Sequence, residues 1–450
     1  MASDTIGADP HEGEESLWYK VYLRPQMLLL LCLGFASGLP SPLIFSNLSI
    51  WLRSVDVSRT DIGYFAFATT PLALNFLWAP FVDHLRLPFF SKTFGQRRGW
   101  AIFVQSLVMI AILLLSFSDP TSNLARMAIL VIFLSFCSAT LDVVLDAFRV
   151  ELLKLSEQGA GASVYIAGWY LGGMLIGGAV GLMLAERFGW NAAYLLLAMA
   201  GSVGLLAVLF SPEPKELVAQ RAEAESRRTP EARGWEAIEE WIEMSVIEPF
   251  REFMKRDYWL LILSFVFVFR LGDALLGRMS GVFYRDMGFS LTEIATVSKV
   301  YGLTATLVGI VLGGILATRI GVLKALFVSG LATALTNLTY SWLAMAGHDM
   351  GVFIFAVVSD NFTSGLVNVA FVAYLSSLCN VAFTATQYAL LASLGNLSRI
   401  LFSGVSGWMV DSLHGSWAFF FWITAIVALA GLPLLLVLMR KIPQINPTRA

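Results

Sequence analysis

Eight ionisable residues lie inside apolar runs of this chain: Asp142, Asp146, Arg270, Asp273, Arg278, Lys299, Asp360 and Arg399. A charge at the centre of a membrane helix costs about 2.5–3.5 kcal/mol on insertion scales, so such residues mark a partner or a substrate or proton pathway. Their signs separate along the sequence. The first half holds Asp142 and Asp146, whereas the second sets the bases Arg270, Arg278, Lys299 and Arg399 against Asp273 and Asp360. Pairing that merely holds helices in register, Arg270 with Asp273 and Asp360 with Lys299 or Arg399, absorbs part of the set. Two bases remain over, and an anionic ligand is their natural partner.

At about 1.5 Å of rise per residue, Asp273, Asp360 and Arg399 fall nearest the middle of their runs, with Arg270 to one side and Lys299 and Arg278 to the other. One central cavity can therefore collect them. Arg270, Asp273 and Arg278 also fall within about 140° of arc on a continuous helix. Arginine can hold a carboxylate through two parallel bonds. Substrate carboxylates are accordingly assigned to Arg270, Lys299 and Arg399, with Arg278 in support and Asp360 in the same cluster. Asn361, Asn368, Gln387, Tyr165, Trp169 and Tyr170 are assigned to the uncharged parts of the same ligand. A coupling proton needs an acid that can be neutral near pH 7, which burial and a like-charged neighbour favour and a paired cation opposes. Asp142 has Asp146 one turn away and its nearest sequence cation, Arg149, almost two turns on. It is therefore the first candidate, followed by Asp273, which has Arg270 one turn away. The competing reading makes Asp142 and Asp146 a gate with Arg149.

The elements that must position these residues are membrane helices. A chain of 450 residues with 57% hydrophobic and 14% charged residues is not a soluble protein. Its apolar runs are each long enough to cross a hydrocarbon core of about 30 Å, and no alternating pattern suggests a barrel. The pattern predicts an all-α integral membrane protein with twelve helices near 27–51, 62–82, 100–117, 123–147, 161–185, 191–210, 258–284, 292–317, 323–346, 351–377, 384–408 and 417–439. With both termini cytoplasmic, 21 of the 30 Lys and Arg residues fall on cytoplasmic segments and only Arg53, Arg59, Arg126, Arg187 and Arg285 on the other side. The positive-inside rule favours that orientation. Residues 1–25 lack the order of a cleavable signal, so the first helix is expected to be retained.

A polar interruption divides the chain into a cytoplasmic segment 1–25, a six-helix bundle 26–210, a linker 211–257, a second bundle 258–439 and a tail 440–450. Trp235, Ile238, Trp241 and Ile242 suit either an amphipathic surface helix or a solvated one. An internal repeat supports the division: Ser58-x-Thr60-Asp61-Ile62 is echoed by Ser290-x-Thr292-Glu293-Ile294, 232 residues on. Each has the spacing of a helix-start cap, and each opens the second helix of its half, as expected of a transporter built from two parallel repeats. Glycines at 168, 172, 173, 177, 178 and 181, and at 302, 309, 313 and 314, suit close approach of helices that pack tightly or slide.

Enzymatic chemistry is not indicated. His11, His84, His348 and His414 show no metal-ligand spacing, and no Gly-rich phosphate loop opens a soluble domain. Cys32, Cys137 and Cys379 give no disulfide framework, and no basic tail suggests nucleic acid. No cofactor or metal is expected, and transport must draw on an ion gradient or the substrate's own. Asp83, Arg86, Arg97 and Arg98 between helices two and three, with Arg319 in the equivalent later connection, are read with Arg149 as gate and topology residues. They resemble the acidic-and-basic signature of the major facilitator superfamily, with the first copy stretched by residues 87–96.

The sequence most resembles the AmpG muropeptide permeases of that superfamily, from Leu23 to Leu438. The resemblance is carried by Gly34-Phe35-Ala36-Ser37-Gly38-Leu39-Pro40, Arg97-Arg98-Gly99-Trp100, Asp142 with Asp146-Ala147, Gly159-Ala160-Gly161-Ala162, Leu271-Gly272-Asp273, and Ala385-Thr386-Gln387-Tyr388-Ala389-Leu390-Leu391. It implies a place in a Gram-negative inner membrane, where the chain is expected to be a monomer. There the family takes up N-acetylglucosaminyl-anhydromuramyl peptides with protons for peptidoglycan recycling, a pool also linked to β-lactamase induction. The chain departs from relatives in having Tyr170 where they carry an arginine and Leu141 where they carry a glutamine, and some relatives have two further helices. A transporter of acetyl-coenzyme A or another anionic metabolite, and a non-transporting assembly or signalling protein of this fold, are the alternatives.

Overall fold

A computed structural model describes residues 24–78, 82, 85, 87–153, 158–212, 248–378 and 384–441. Regular structure among them is helical throughout. In chain order the principal helices are α1 (Pro25–Ser54), α2 (59–77, in pieces), α3 (Gln96–Ser116), α4 (Leu124–Leu152), α5 (Ser163–Phe188) and α6 (Trp190–Phe210). They continue as α7 (Trp259–Asp286), α8 (Leu291–Ile320), α9 (Val322–Ala346), α10 (Met350–Ser377), α11 (Thr384–Ser412) and α12 (Trp417–Lys441). Among the described residues, ten are long and apolar enough to cross a membrane. The other two are α11, which carries more polar residues along its 29-residue length, and the broken α2. In lipid a helix satisfies its own backbone, so long apolar runs resolve into helices without needing polar partners.

Both repeated motifs are helix starts. Ser58 accepts the amide of Asp61 at 3.0 Å, and Ser290 and Glu293 form a reciprocal capping box. Helix two differs from the run expected at 62–82. It starts at Arg59 and passes through Arg59–Tyr64, a 3₁₀ turn Phe67–Thr69, Thr70–Leu74 and a 3₁₀ turn Asn75–Leu77. Pro71 removes a backbone donor within it. Helix one is likewise divided near Pro40 and Pro42. Helix seven, expected to be continuous, breaks at Arg270 (φ −101°, ψ 12°) into Trp259–Phe269 and Leu271–Asp286.

The glycines of α5 serve close packing. A Cβ on Gly168 would lie 2.1 Å from the Leu31 carbonyl oxygen and one on Gly172 2.1 Å from that of Phe35, so only hydrogen fits between α1 and α5. In α8, Gly309 similarly faces the Phe362 carbonyl of α10. Two π-helical stretches, Leu171–Val180 in α5 and Ala295–Tyr301 in α8, pack against each other. Such widened turns alter which side chains face a neighbour and are frequent at functional sites.

One apolar core runs through α1–α6 and continues into one end of the later helices, through Met279, Phe283, Tyr340, Phe353 and Phe421. A separate core, with Phe265, Phe371, Tyr374 and Leu435, occupies their other end. Packing between the early and late helices follows this division. Ser46–Ser54 meets Leu271–Asp286, Arg59–Tyr64 meets α11, and α5 meets the start of α8. Among the described residues no comparable packing joins α4 or α5 to α10 or α11 at the opposite end. Among the described residues the molecule is thus closed at the end that holds Arg59 and Asp286, and open at the end that holds Arg149.

Candidate functional site

A cavity of about 360 Å³ lies between the early and late helices, just inside the closed end. Its wall takes Ser41, Phe45 and Ser46 from α1, Trp169 and Gly173 from α5, Asp273 and Arg278 from α7, Lys299 from α8, and Arg399 and Ser403 from α11. Three cations therefore face one carboxylate. Lys299 reaches the wall from the π-helical stretch of α8, and its Nζ donates to Ser46 Oγ at 2.8 Å. The facing π-helical stretch of α5 leaves Gly178 with only hydrogen opposite the lysine stem, since a Cβ there would lie 3.3 Å from Lys299 Cδ.

Arg278 and Arg399 both stack on Phe45, with ring-centroid distances of 5.6 and 5.8 Å. Arg278 is only 6% exposed; its Nη1 reaches Ser49 Oγ at 3.4 Å, and its Nη2 is buried with no hydrogen-bond partner among the described residues. Leaving a charged donor unsatisfied is costly, and bringing two guanidinium groups to one ring adds repulsion. A carboxylate or phosphate in the cavity relieves both costs. The geometry thus suits an anion with apolar or sugar surface, since Phe45 and Trp169 supply flat faces beside the charges.

Arg270 does not line this cavity. Its Nη2 donates to Asn368 Oδ1 at 2.7 Å, its Nε lies 3.7 Å from Asp273, and its guanidinium covers Phe371 of α10 at 5.4 Å. The break in α7 is the physical reason, because the shared arc of Arg270, Asp273 and Arg278 requires an unbroken helix. Arg278 occupies the cavity instead. Asp360 also stands away from the cavity wall and makes no ion pair with Lys299 or Arg399 among the described residues; it accepts from Tyr340 Oη at 3.2 Å. Asn361 is held between α10 and α8, donating to the Val357 carbonyl at 2.9 Å and accepting from Thr306 at 3.3 Å. Asn368 is used by Arg270. Tyr165 lies under Arg149 at 5.2 Å, and Tyr170 meets Trp169 edge-on at 5.3 Å, so of these three aromatics Trp169 alone reaches the wall. Gln387 sits in α11, and its side chain is outside the described residues.

The acids of α4 stand toward the open end and do not join the cavity wall. Asp142 accepts from Ser37 Oγ of α1 at 2.6 Å and has no cation on it among the described residues. Asp146 is exposed and lies 3.8 Å from Arg149. The two acids have separate surroundings: one accepts from a hydroxyl between helices, the other is paired with Arg149.

Of the other gate candidates, Asp83 and Arg86 lie outside the described residues, as does the 213–247 part of the linker. Arg97 is buried, and Arg319 is exposed at the end of α8. Arg98 donates to the Leu209 carbonyl at 2.6 Å and toward that of Val208 at 3.3 Å, tying the connection before α3 to the last carbonyls of α6. The closed end has a larger network, absent from the sequence reading. Asp286 accepts from Arg53 at 2.5 Å, from Arg59 Nη2 at 2.7 Å and from Trp417 Nε1 at 2.9 Å. Arg59 also reaches Asp411 at 3.2 Å, which accepts the Thr60 amide and hydroxyl at 2.9 and 2.7 Å. Basic residues at an end that the positive-inside bias leaves poor in them were the available signal.

The family model of the Major Facilitator Superfamily matches residues 27–403 and 266–450. The chain is 35% identical over 424 residues to the anhydromuropeptide permease of Escherichia coli K12, covering 94% of this chain and 81% of that one. It is 34% identical over 425 residues to putative transporter AmpG 4 of Rickettsia felis, covering 94% and 99%. Among solved structures, a D-xylose–proton symporter superposes with a TM-score of 0.66 at 14% identity, covering 93% of this chain and 98% of that one. The inward-open conformation of the xylose transporter XylE from E. coli gives 0.66 at 14% identity, covering 94% and 96%. At such identities the solved structures share the fold alone.

Proposed function

The chain belongs to the anhydromuropeptide permeases of the major facilitator superfamily, and from that premise we propose that it is a proton-coupled importer of anhydro-muropeptides. The observation that carries the reading is the cavity in which Arg278, Lys299 and Arg399 face Asp273 alone. A muropeptide brings peptide carboxylates to such a site and sugar rings to Phe45 and Trp169. Arg278, with its unpartnered Nη2, and Arg399 hold a carboxylate, and Lys299 adds a third charge. Phe45 keeps the two guanidinium groups in place before the anion arrives.

The coupling proton is assigned to Asp142. Its partner Ser37 can donate to the carboxylate and accept from the acid, so both protonation states keep a hydrogen bond across α1 and α4. Asp146 and Arg149 form the neighbouring gate. The halves 26–210 and 258–439 rock about the cavity, opening the Asp286 end to the periplasm and the Arg149 end to the cytoplasm. In this reading the protein is a monomer in a Gram-negative inner membrane with both termini cytoplasmic, and the uptake it performs serves peptidoglycan recycling.

The deciding experiment is uptake of labelled anhydro-muropeptide into proteoliposomes with an imposed pH gradient. Accumulation with the outside acidic, abolished by a protonophore and not competed by acetyl-coenzyme A, is expected. Equilibration that ignores the gradient removes proton coupling, and an absence of uptake in protein that exchanges another anion removes the substrate.

A further inference from the structure

Asp360 has no role in the anion cavity, yet it is a carboxylate within a membrane span. Among the described residues its side-chain partner is Tyr340 Oη at 3.2 Å, and Tyr340 Oη is in turn 3.1 Å from Tyr284 Oη. Tyr340 and Tyr284 are 1% and 3% exposed and stand among Phe283, Phe353 and Phe421, so this hydroxyl chain is dry on its flanks. Asp360 itself is half-buried.

Among the described residues no cation forms an ion pair with it. From α7 it faces the like charge of Asp273. Arg270 is taken by Asn368 and Asp273, Lys299 of α8 by Ser46, and Arg399 of α11 stands over Phe45. From α9 it receives Tyr340, while Lys324 lies at the far end of that helix. An ionised carboxylate held in a membrane span without an ion-pair partner, as Asp360 is among the described residues, is expensive, and a static fold has no use for one. A tyrosine hydroxyl suits either state, because it donates to the carboxylate and accepts from the acid.

We infer that Asp360, bonded to the Tyr340–Tyr284 hydroxyl pair, is a second proton-carrying site, in the late helices and separate from Asp142. The proton taken from water forms the O–H bond of the carboxyl group, Tyr340 turns from donor to acceptor, and release to water reverses both changes. Coupling to substrate runs through Asp273. An anion on Arg399 draws charge away from Asp273, whose own charge then bears on Asp360, so that anion and proton binding reinforce each other. This inference rests on the proposed import with protons, and adds that each cycle uses a carboxyl in both halves.

The test is the slope of muropeptide accumulation against imposed pH gradient in proteoliposomes. One fewer proton per cycle means that Asp360→Asn accumulates about tenfold less than the parent per pH unit of gradient, while exchange at zero gradient is kept. An unchanged slope in a variant that exchanges substrate overturns the inference. A parent without any slope overturns the proton coupling of the proposed function instead. Should Asp360→Asn fail to fold, difference infrared spectra of Tyr340→Phe and parent protein decide the matter. A carboxyl carbonyl band that appears with acid and moves in Tyr340→Phe supports the assignment, and a band identical in both overturns it.

Discussion

Replacing Asp286 by asparagine should open the closed end of the molecule. Asp286 is the centre of the network there, accepting from Arg53, Arg59 and Trp417. Its side chain is 9% exposed, and those of the two arginines are 20% and 22% exposed. Breaking a fully buried ion pair costs about 3–5 kcal/mol, and an exposed pair contributes about 0.2–1 kcal/mol. Partial exposure of the arginines places the loss between these limits, at about 2 kcal/mol. Asparagine keeps the shape and an acceptor for Trp417, so the loss falls mainly on the charge pairs. At about 1.4 kcal/mol per factor of ten, the ratio of closed to open should fall about thirtyfold. Spin labels at exposed Ser122 and Met345, in protein with Cys32, Cys137 and Cys379 replaced by alanine, report the separation of early and late helices at that end. The parent should give a short distance, and Asp286→Asn a large added population at longer distance. Asp411, which is 32% exposed and bonded to Arg59 alone among the arginines, should give a shift of only a few-fold when changed to asparagine. An unaltered distribution in Asp286→Asn, or a larger change in Asp411→Asn, would refute the lock.

Arg399→Ala should weaken binding of charged muropeptides far more than of a neutral amidated analogue, measured by calorimetry on purified protein; equal losses would remove its electrostatic role. Arg278→Lys keeps the charge but loses the fork and the stack on Phe45, so affinity should drop about tenfold in the same titrations. Asp142→Asn should retain substrate exchange in proteoliposomes while losing accumulation driven by a pH gradient, and an unimpaired gradient response would place the coupling proton elsewhere. Gly172→Ala should lower the yield of folded, monodisperse protein, since its Cβ would meet the Phe35 carbonyl at 2.1 Å, whereas Gly314→Ala meets nothing within 4 Å and should behave as the parent.

The sequence by itself determined the solvent and the inventory. Crossing a bilayer is a local property of about 20 residues, so the helices could be read run by run. The excess of Arg and Lys in the late helices was equally legible, because an intramembrane charge is expensive wherever it points. The paired caps at Ser58 and Ser290 depend on contacts three residues apart, and they too were readable.

Which charges share a cavity was decided only in three dimensions. Assigning Arg270 and Arg278 to one face assumed a continuous helix, and the break at Arg270 sends that side chain to Asn368 and leaves Arg278 beside Phe45. Asp360 was expected among the bases, yet its rotation toward α9 gives it a tyrosine instead. The lock joins Arg59 to Asp286, 227 residues away, so no spacing in the chain announces it. Hydropathy is set by what each segment exposes to lipid. Ion pairing between helices is set by their rotation, breaks and mutual approach, and those are fixed by packing such as glycine against carbonyl in α1 and α5.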